Sequence, residues 1–220
     1  DEPGEYTIPS KLFFDYVSLL PNETVHLNAG DQAMNVECGT HKTKINGLIS
    51  SEFPLVPAIQ GEISVQIPVE DFKRALSQVL FAVATNEARP ELTGSAFQFS
   101  THAGEGRLTL AATDSYRLAE ATIPVVSPVA EDHSLVVPAK TLSEVNRILS
   151  VFRDDVELPS FLTLSVSGSQ VVFMYGPVEL ISRTIDEQYP DYRQIIPNEF
   201  RTQTIVDRED FIKAVKAASL

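Results

Sequence analysis

The chain has 220 residues, of which 43% are hydrophobic and 21% charged, a balance typical of globular proteins. Its apolar runs are shorter than the roughly 20 residues that cross a bilayer, and its first ten residues do not resemble a secretory signal, which argues against membrane and secreted classes. The formal net charge of −13 argues against a molecule that is basic all over, but it allows a local basic face.

The first segment predicts one helix followed by strands. Pro9 stands where a first-turn proline is tolerated, and the apolar residues after it recur at helical spacing. They are Leu12, Phe13, Tyr16, Val17, Leu19 and Leu20. Alternating apolar residues from Val25 and turn residues around Gly30 and Gly39 predict strands up to about Cys38 and from about Lys42 to Ile49. Ser51-Glu52-Phe53-Pro54 closes this unit.

Two further helices with the same character follow along the chain. The segment from Ile67 places five apolar residues on one face of a helix, namely Phe72, Ala75, Leu76, Val79 and Val83. The segment from Val137 does so with Leu142, Val145, Ile148 and Leu149 behind Pro138. Strands are predicted after it at Leu162–Val166, Val171–Tyr175 and Val178–Ile185, and Tyr189-Pro190 closes the unit.

These segments are interpreted as copies of one repeat. The segment from Ile8 matches the segment from Val137, and the segment from Ile67 matches one from Ile205, which gives a repeat of about 130 to 140 residues, the size of a domain. The fold class is α+β, with the second half of one domain at 1–60, a complete domain at 61–198 and the start of a third at 199–220. Coincidental alternation in an ordinary α+β protein is the alternative.

The ends of the chain fall inside the repeat. The last helix is expected from about Arg208 and is still running at Leu220. We therefore expect the sequence to be a fragment of a longer protein of about 370 residues, which three such units would occupy.

Specific motifs resemble one family. Leu108–Ala119 reads LTLAATDSYRLA, similar to the A-T-D-x-x-R-L-A run at a strand end in bacterial sliding clamps, the beta subunits of DNA polymerase III. Tyr189–Pro197 reads YPDYRQIIP, similar to the aromatic-Pro-Asp-Tyr segment of the same family. IPVEDFKRAL and VVPAKTLSEV also resemble clamp segments, so the resemblance covers nearly the whole chain.

The resemblance implies both a fold and a function. Clamp domains carry antiparallel sheets on the outside and two helices each on the inner face, and two three-domain subunits close a homodimeric ring. Such a ring encircles double-stranded DNA as a polymerase processivity factor in DNA replication. The implied partners are the DNA polymerase III alpha subunit, the clamp loader and other proteins with a clamp-binding motif. The resemblance also implies a cytoplasmic location, no catalytic site, no cofactor and no membrane association.

Basic residues on the predicted helices are the candidates for contact with DNA. The implied set is Lys73, Arg74, Asn86, Arg89, Lys140 and Arg147, with Lys11, Lys213 and Lys216 on equivalent helices. Lys140 is the strongest of them, because clamps often carry a basic residue there. Pro90 and Glu91 depart from the family pattern and weaken the assignment of the preceding loop. Basic residues on helices are also simply solvated faces in many proteins.

A peptide-binding cleft between the second and third domains is also implied. Its second-domain side consists of Leu92, Thr113, Ser115, Tyr116, Arg117, Leu118, Pro190, Gln194 and Ile195. Four apolar members would form a floor, and Thr113, Arg117 and Gln194 would donate to peptide carbonyls. Gln194 replaces an arginine that is common in the family, which removes one charge-assisted contact. Alternatively, Leu118 and Ile195 are core residues and Asp114 only forms a turn. Peptide binding is expected to be weakened or lost in this fragment, because the third-domain wall of the cleft is absent.

The sequence lacks the motifs that would indicate catalysis or metal binding. His26, His41, His102 and His133 lack the spacing of metal ligands, and the single Cys38, which fits a reducing compartment, lacks a partner. The pairs Glu131-Asp132 and Asp154-Asp155 lie in polar loops, and the Asp114-Ser115 region has no histidine nearby. We therefore predict no metal and no enzyme activity. A metal-dependent α+β enzyme and an interaction module unrelated to DNA remain the alternative functions.

Overall fold

The computed structural model describes residues 3–52, 63–126, 129–151 and 159–219. The chain forms two compact units, Asp1–Ile59 and Gln60–Leu220. The predicted closing residues Phe53-Pro54 and the acidic pair Asp154-Asp155 lie outside the described residues.

The first unit is a helix with a small antiparallel meander. Its elements are β1 (Tyr6–Thr7), α1 (Ser10–Val17), β2 (His26–Ala29), β3 (Ala33–Cys38), β4 (His41–Asn46) and β5 (Leu48–Ile49). Strands β2, β3 and β4 form one sheet, whose buried Met34, Val36 and Ile45 pack against Phe13 and Tyr16.

The sequence predicts a single strand from about Lys42 to Ile49, and this prediction is wrong in one respect. The structure has two strands there, β4 and β5, on either side of Gly47. The chain passes close to the Thr7 carbonyl at this glycine, where an added Cβ would lie 2.3 Å from the oxygen.

The second unit follows the order that the sequence predicts: strand, helix, strands, helix, strands. Its elements are β6 (Ile63–Pro68), α2 (Val69–Val79), β7 (Gly94–His102), β8 (Glu105–Thr113), β9 (Leu118–Pro124), β10 (His133–Pro138), α3 (Ala139–Val151), β11 (Phe161–Ser167), β12 (Gln170–Tyr175), β13 (Val178–Arg183) and α4 (Arg208–Ala218). A helix followed by a three-stranded antiparallel meander thus occurs in both units, which supports the predicted repeat. Val83 lies beyond α2, after a 3₁₀ turn at Leu80–Ala82.

The second unit exchanges strands between its two halves. Each half runs strand, helix, three strands, yet the antiparallel sheets have the orders β10-β7-β8-β9 and β13-β12-β11-β6. The first strand of each half therefore lies in the sheet of the other half. Val137 pairs with Ser95, and Ile67 pairs with Leu162.

The core of this unit lies between the sheets and the helices. Alternate strand residues such as Phe97 and Leu110 face inward, as a period of two requires. Helix α2 buries its predicted stripe, and Phe72 at its centre packs edge-on against Phe97 (ring centroids 6.1 Å apart) and stacks with Phe173 (6.3 Å). Helices α2 and α3 contact each other, and their polar faces are exposed.

The last helix, α4, has a side-chain N-cap but buries none of its residues. The side chain of its N-cap residue Asp207 accepts hydrogen bonds from the backbone N–H groups of Glu209 (2.9 Å) and Asp210 (3.0 Å). None of its residues is buried, although Phe211 and Val215 are apolar.

Candidate DNA-facing helices and peptide-binding surface

The basic residues of α2 and α3 are held by acidic residues one turn earlier. Lys73 Nζ lies 3.3 Å from Glu70 Oε1, and Arg74 pairs with Asp71. Arg147 makes two hydrogen bonds to the Glu144 carboxylate, of 2.6 and 2.9 Å. This bidentate contact lowers the pKa of Glu144, chiefly through the hydrogen bond from Arg147. Exposed ion pairs of this kind contribute little to the free energy of folding. They orient the cationic side chains, and breaking one of them to bind another anion costs little.

Lys140 differs from these three residues. It is exposed at the start of α3, and no carboxylate in the described part of the chain pairs with it. Helices α2 and α3 together carry four basic and three acidic residues, a net charge of +1, in a chain of formal charge −13. The exposed face of the two helices is therefore weakly basic within an acidic protein.

The loop between α2 and β7 has its own fixed geometry. Asn86 Oδ1 accepts a hydrogen bond from the backbone N–H of Ala88 at 2.8 Å. Arg89 Nε donates to Glu91 at 2.8 Å, and Arg89 Nη1 donates to Ser115 Oγ at 3.3 Å. Asn86 and Arg89 are thus engaged locally, and Arg89 joins this loop to the predicted peptide-binding residues.

The turn after β8 is built by Thr113 and Asp114. Thr113 Oγ1 donates to the Arg117 carbonyl oxygen at 2.8 Å, and Asp114 Oδ1 accepts from the N–H groups of Tyr116 and Arg117, each at 3.0 Å. The hydrogen bond from Tyr116, followed by that from Arg117, lowers the pKa of Asp114. The turn-forming role considered for Asp114 is therefore confirmed. Ser115 takes a left-handed conformation (φ 76°) that this turn imposes.

The Tyr189–Tyr192 segment packs against the turn and the outer face of the β7–β9 sheet. The Thr113 N–H donates to the Tyr189 hydroxyl at 3.0 Å, and the two tyrosine rings meet edge-on at 6.4 Å. Tyr192 is buried on Ala96 and Ala111 and donates its hydroxyl to Glu120 at 2.5 Å. The two motifs that carry the resemblance are therefore in direct contact.

The predicted cleft residues differ widely in exposure. Tyr116 is 98% exposed and Ile195 is 71% exposed, so Ile195 is not a core residue, whereas Leu92 is only 2% exposed. Leu118 and Pro190 are half-buried, and Leu118 packs against the Tyr192 cluster. Gln194 Nε2 donates to Asp191 Oδ2 at 2.9 Å. An incoming side chain can therefore reach Ile195 and Leu118, whereas Leu92 is covered by the protein.

Sequence reasoning missed three residues that shape this surface. Glu120 and Tyr192 fix the segment that carries Gln194 and Ile195, through the hydroxyl–carboxylate hydrogen bond. Phe81, in the 3₁₀ turn after α2, lies beneath the Arg117 guanidinium, with Cζ 5.6 Å from the ring centroid. The Tyr-Pro-Asp-Tyr motif was a signal for Tyr192, but no sequence pattern marked Glu120 or Phe81.

A groove of about 660 Å³ borders the Tyr189–Tyr192 segment. It is lined by β10 and by residues 184–192, and Pro190 is the one predicted cleft residue in its lining.

Within the ranges that the structure covers, no three His, Cys, Asp or Glu side chains are grouped to hold a metal ion. Among those same ranges, no helix has the length and apolar character of a membrane span.

Alkaline titration should detect the burial of Tyr189. Desolvation raises the pKa of Tyr189 from 10.0 to about 12, because the buried ring disfavours the charged tyrosinate. A raised folded-state pKa means that the contribution of Tyr189 to stability is complete below pH 10.0 and is lost as the pH rises towards 12. Ultraviolet absorbance of tyrosinate should show a late phase that shrinks in Tyr189→Phe. Persistence of the full late phase in that variant would contradict the assignment, and denaturant should abolish it.

Comparisons with known proteins agree with this geometry. A family model described as DNA polymerase III beta subunit, central domain, matches residues 66–191, more than half of the chain. The beta sliding clamp of Bacillus subtilis (strain 168) is 32% identical over 221 residues, covering 100% of this chain and 56% of its own length. That of Staphylococcus aureus (strain N315) is 30% identical over 220 residues, covering 100% and 55%. The chain spans about half the length of the curated relatives it matches.

Solved structures give the same result. The crystal structure of the Bacillus subtilis DNA polymerase sliding clamp superposes with a TM-score of 0.84 at 31% identity, covering 100% of this chain and 56% of that one. The sliding clamp of Bartonella birtlesii bound to griselimycin has a TM-score of 0.84 at 28% identity, covering 99% and 57%. The stretch that the family model matches includes the hydrogen-bonded residues Thr113 and Tyr189. The chain belongs to the DNA polymerase III beta-subunit family, and residues 66–191 correspond to its central domain.

Proposed function

We propose that this chain is part of a sliding clamp, a processivity factor that encircles duplex DNA and tethers the replicative polymerase. The observation that carries the proposal is the pair of adjacent helices α2 and α3, with a net charge of +1 on a chain of −13. A cationic patch attracts phosphates without reading sequence, and the acidic remainder of the chain keeps other surfaces away from DNA.

The ion pairs on α2 and α3 suit a protein that slides. Lys73, Arg74 and Arg147 already share a carboxylate, so a phosphate must compete with Glu70, Asp71 or Glu144 for each of them. Each DNA contact is therefore weak and readily exchanged, and no base-specific bond holds the protein at one position. Retention on DNA then comes from ring closure, since a closed ring does not leave a duplex that has no free end.

The peptide-binding surface would serve the partners of the ring. Exposed Ile195 and half-buried Leu118 offer apolar contacts, and the exposed guanidinium of Arg117, which precedes Leu118 in the chain, offers hydrogen-bond donors. The Bartonella birtlesii relative is bound to griselimycin in its crystal structure, which supports ligand binding by this family. We assign to this surface the DNA polymerase III alpha subunit, the clamp loader and other clamp-binding proteins.

The domain assignment follows from the same proposal. Residues 1–60 are the second half of a first clamp domain, 61–198 a middle domain and 199–220 the start of a third. The complete protein forms a homodimeric ring in the cytoplasm and acts as a polymerase accessory subunit without a catalytic site of its own. No observation favours the metal-dependent enzyme or the interaction module unrelated to DNA.

Retention on circular DNA tests the proposal. The complete natural protein that carries this sequence, loaded onto a nicked plasmid by its clamp loader, should remain with the plasmid during gel filtration. Linearising the plasmid should release it, because the ring then slides off the ends. Equal retention on circular and linear DNA would show that contacts, and not topology, hold the protein.

Substitution of Lys140 tests the DNA-facing helices. Lys140→Ala in the complete protein should reduce the slope of log affinity against log salt for duplex DNA by about 0.9, the effect of one lost phosphate contact. Fluorescence anisotropy at several salt concentrations measures this slope. Lys44→Ala is the matched control, because Lys44 is an exposed lysine on strand β4. An identical slope for wild type and Lys140→Ala would remove Lys140 from the interface.

A further inference from the structure

Phe81 is an exposed aromatic residue that the function above leaves unused. Its neighbours anchor the 3₁₀ turn, since Ala82 is fully buried and Leu80 packs against the core, while the Phe81 side chain is 58% exposed. The Arg117 guanidinium lies over its ring at 5.6 Å, within the range of a cation–π interaction. The Phe81 ring therefore contacts Arg117 but is not part of the hydrophobic core, so packing does not account for an aromatic residue at this position.

Arg117 is held in place from several sides. Its backbone is fixed by Thr113 and Asp114, and its Nε donates to Asp114 Oδ2 at 2.9 Å. Backbone hydrogen bonds lower the pKa of Asp114, so this carboxylate keeps its charge in mildly acidic solution. The side chain of Arg117 is 57% exposed, and the described residues provide no hydrogen-bond partner for Nη1 or Nη2.

We infer that Phe81 is a positioning residue of the peptide-binding surface, whose ring orients the Arg117 guanidinium so that Nη1 and Nη2 face a peptide carbonyl or carboxylate. This inference rests on the proposed peptide-binding function of Arg117. An arginine side chain loses rotamer freedom when it binds, and a group that is already oriented loses less. Asp114 fixes the edge of the guanidinium and Phe81 fixes its plane, which leaves the outer fork free for two donated hydrogen bonds.

The test compares a variant that removes the ring with one that keeps it. Phe81→Leu retains an apolar side chain but removes the π face, whereas Phe81→Tyr retains the face. The probes are griselimycin and the DNA ligase peptide, which were bound to the clamps of Bartonella birtlesii and Helicobacter pylori. Their affinities for the complete natural protein are measured by isothermal titration calorimetry, and thermal unfolding checks that each variant is folded.

Phe81→Leu is expected to weaken binding of a probe about two- to fivefold, the range of an exposed cation–π interaction. Phe81→Tyr should restore the wild-type affinity. In an Arg117→Ala background, Phe81→Leu should cause no further loss, because the ring acts through Arg117. In the free protein, the NMR resonance of the Arg117 Nε–H group should shift in Phe81→Leu and return in Phe81→Tyr.

Two results would overturn the inference alone: unchanged affinity in Phe81→Leu, or an equal loss in the Arg117→Ala background, which would mean that the ring contacts the ligand itself. A wild-type protein that binds neither probe would overturn the proposed peptide-binding function, and the inference with it. These outcomes are distinguishable because wild-type binding is measured first.

Discussion

Replacing Phe72 by alanine is expected to lower the free energy of unfolding by about 3–5 kcal/mol, the usual range for a buried phenylalanine. Phe72 is 0% exposed and lies at the junction of α2 with both sheets. It contacts Phe97 of one sheet and Phe173 of the other. Its removal therefore leaves a cavity between the two sheets, which the surrounding core refills only in part.

Denaturant unfolding followed by circular dichroism measures this loss. Phe200→Ala is the matched control, because Phe200 is 73% exposed and the same atoms are removed from solvent-accessible surface. The control should change the midpoint little. Similar losses in the two variants would mean that the centre of the core lies elsewhere.

The double variant Leu118→Ala, Ile195→Ala is expected to weaken binding of griselimycin or the DNA ligase peptide by the complete protein about 10- to 100-fold. Both residues present apolar surface at the predicted cleft, Ile195 with 71% of its surface exposed and Leu118 half-buried. Anchoring side chains at the centre of an interface account for most of its binding energy, so the loss of two should exceed that of any rim contact. The affinity for duplex DNA, measured by fluorescence anisotropy, should be unchanged, because the basic residues of α2 and α3 are intact.

Leu48→Ala, Ile49→Ala is the matched control for this variant. It removes the same atoms from two exposed residues, 51% and 44% accessible, on strand β5 of the first unit. Leu92 is left unchanged, because at 2% exposure its truncation would act through stability and confuse the result. Unaltered peptide affinity in the Leu118/Ile195 variant would place the docking surface elsewhere.

The helices were predictable from sequence because their apolar stripes and opening prolines act locally. Phe72, Leu76 and Leu142 are buried as their spacing predicts. The limits of the helices were less predictable: Val83 follows the pattern of α2, but the chain turns into a 3₁₀ helix at Leu80. The helical spacing of apolar residues, with a period of 3.6, does not show at which residue α2 stops packing against β9.

The strand exchange was not predictable from alternation. A period of two tells which residues of β6 face inward, but not that Ile67 pairs with Leu162, nearly a hundred residues later. The shorter repeat inside the second unit was also missed. Pro68 and Pro138 open its two helices at an offset of about 70 residues, which is visible once both halves are compared.

The sequence predicted which segments lie together at the candidate site, but not which of their side chains are exposed. The motifs indicated residues near Thr113 and Tyr189, and the structure joins these two by a hydrogen bond. Leu92 and Ile195 look alike in sequence as apolar residues beside turns. One is covered by the tertiary packing and the other is exposed, because burial depends on which segments cross over each position.

The exchange of first strands has a consequence for biosynthesis. When β6 leaves the ribosome, its pairing partner β11 has not yet been translated, and the β7–β9 meander likewise waits for β10. The nascent polypeptide therefore holds an incomplete sheet with an uncovered apolar face until translation passes Ser167. Pairing across such sequence separations is slow and exposes the chain to aggregation, so the emerging first half is the stretch where a ribosome-associated chaperone would be most needed.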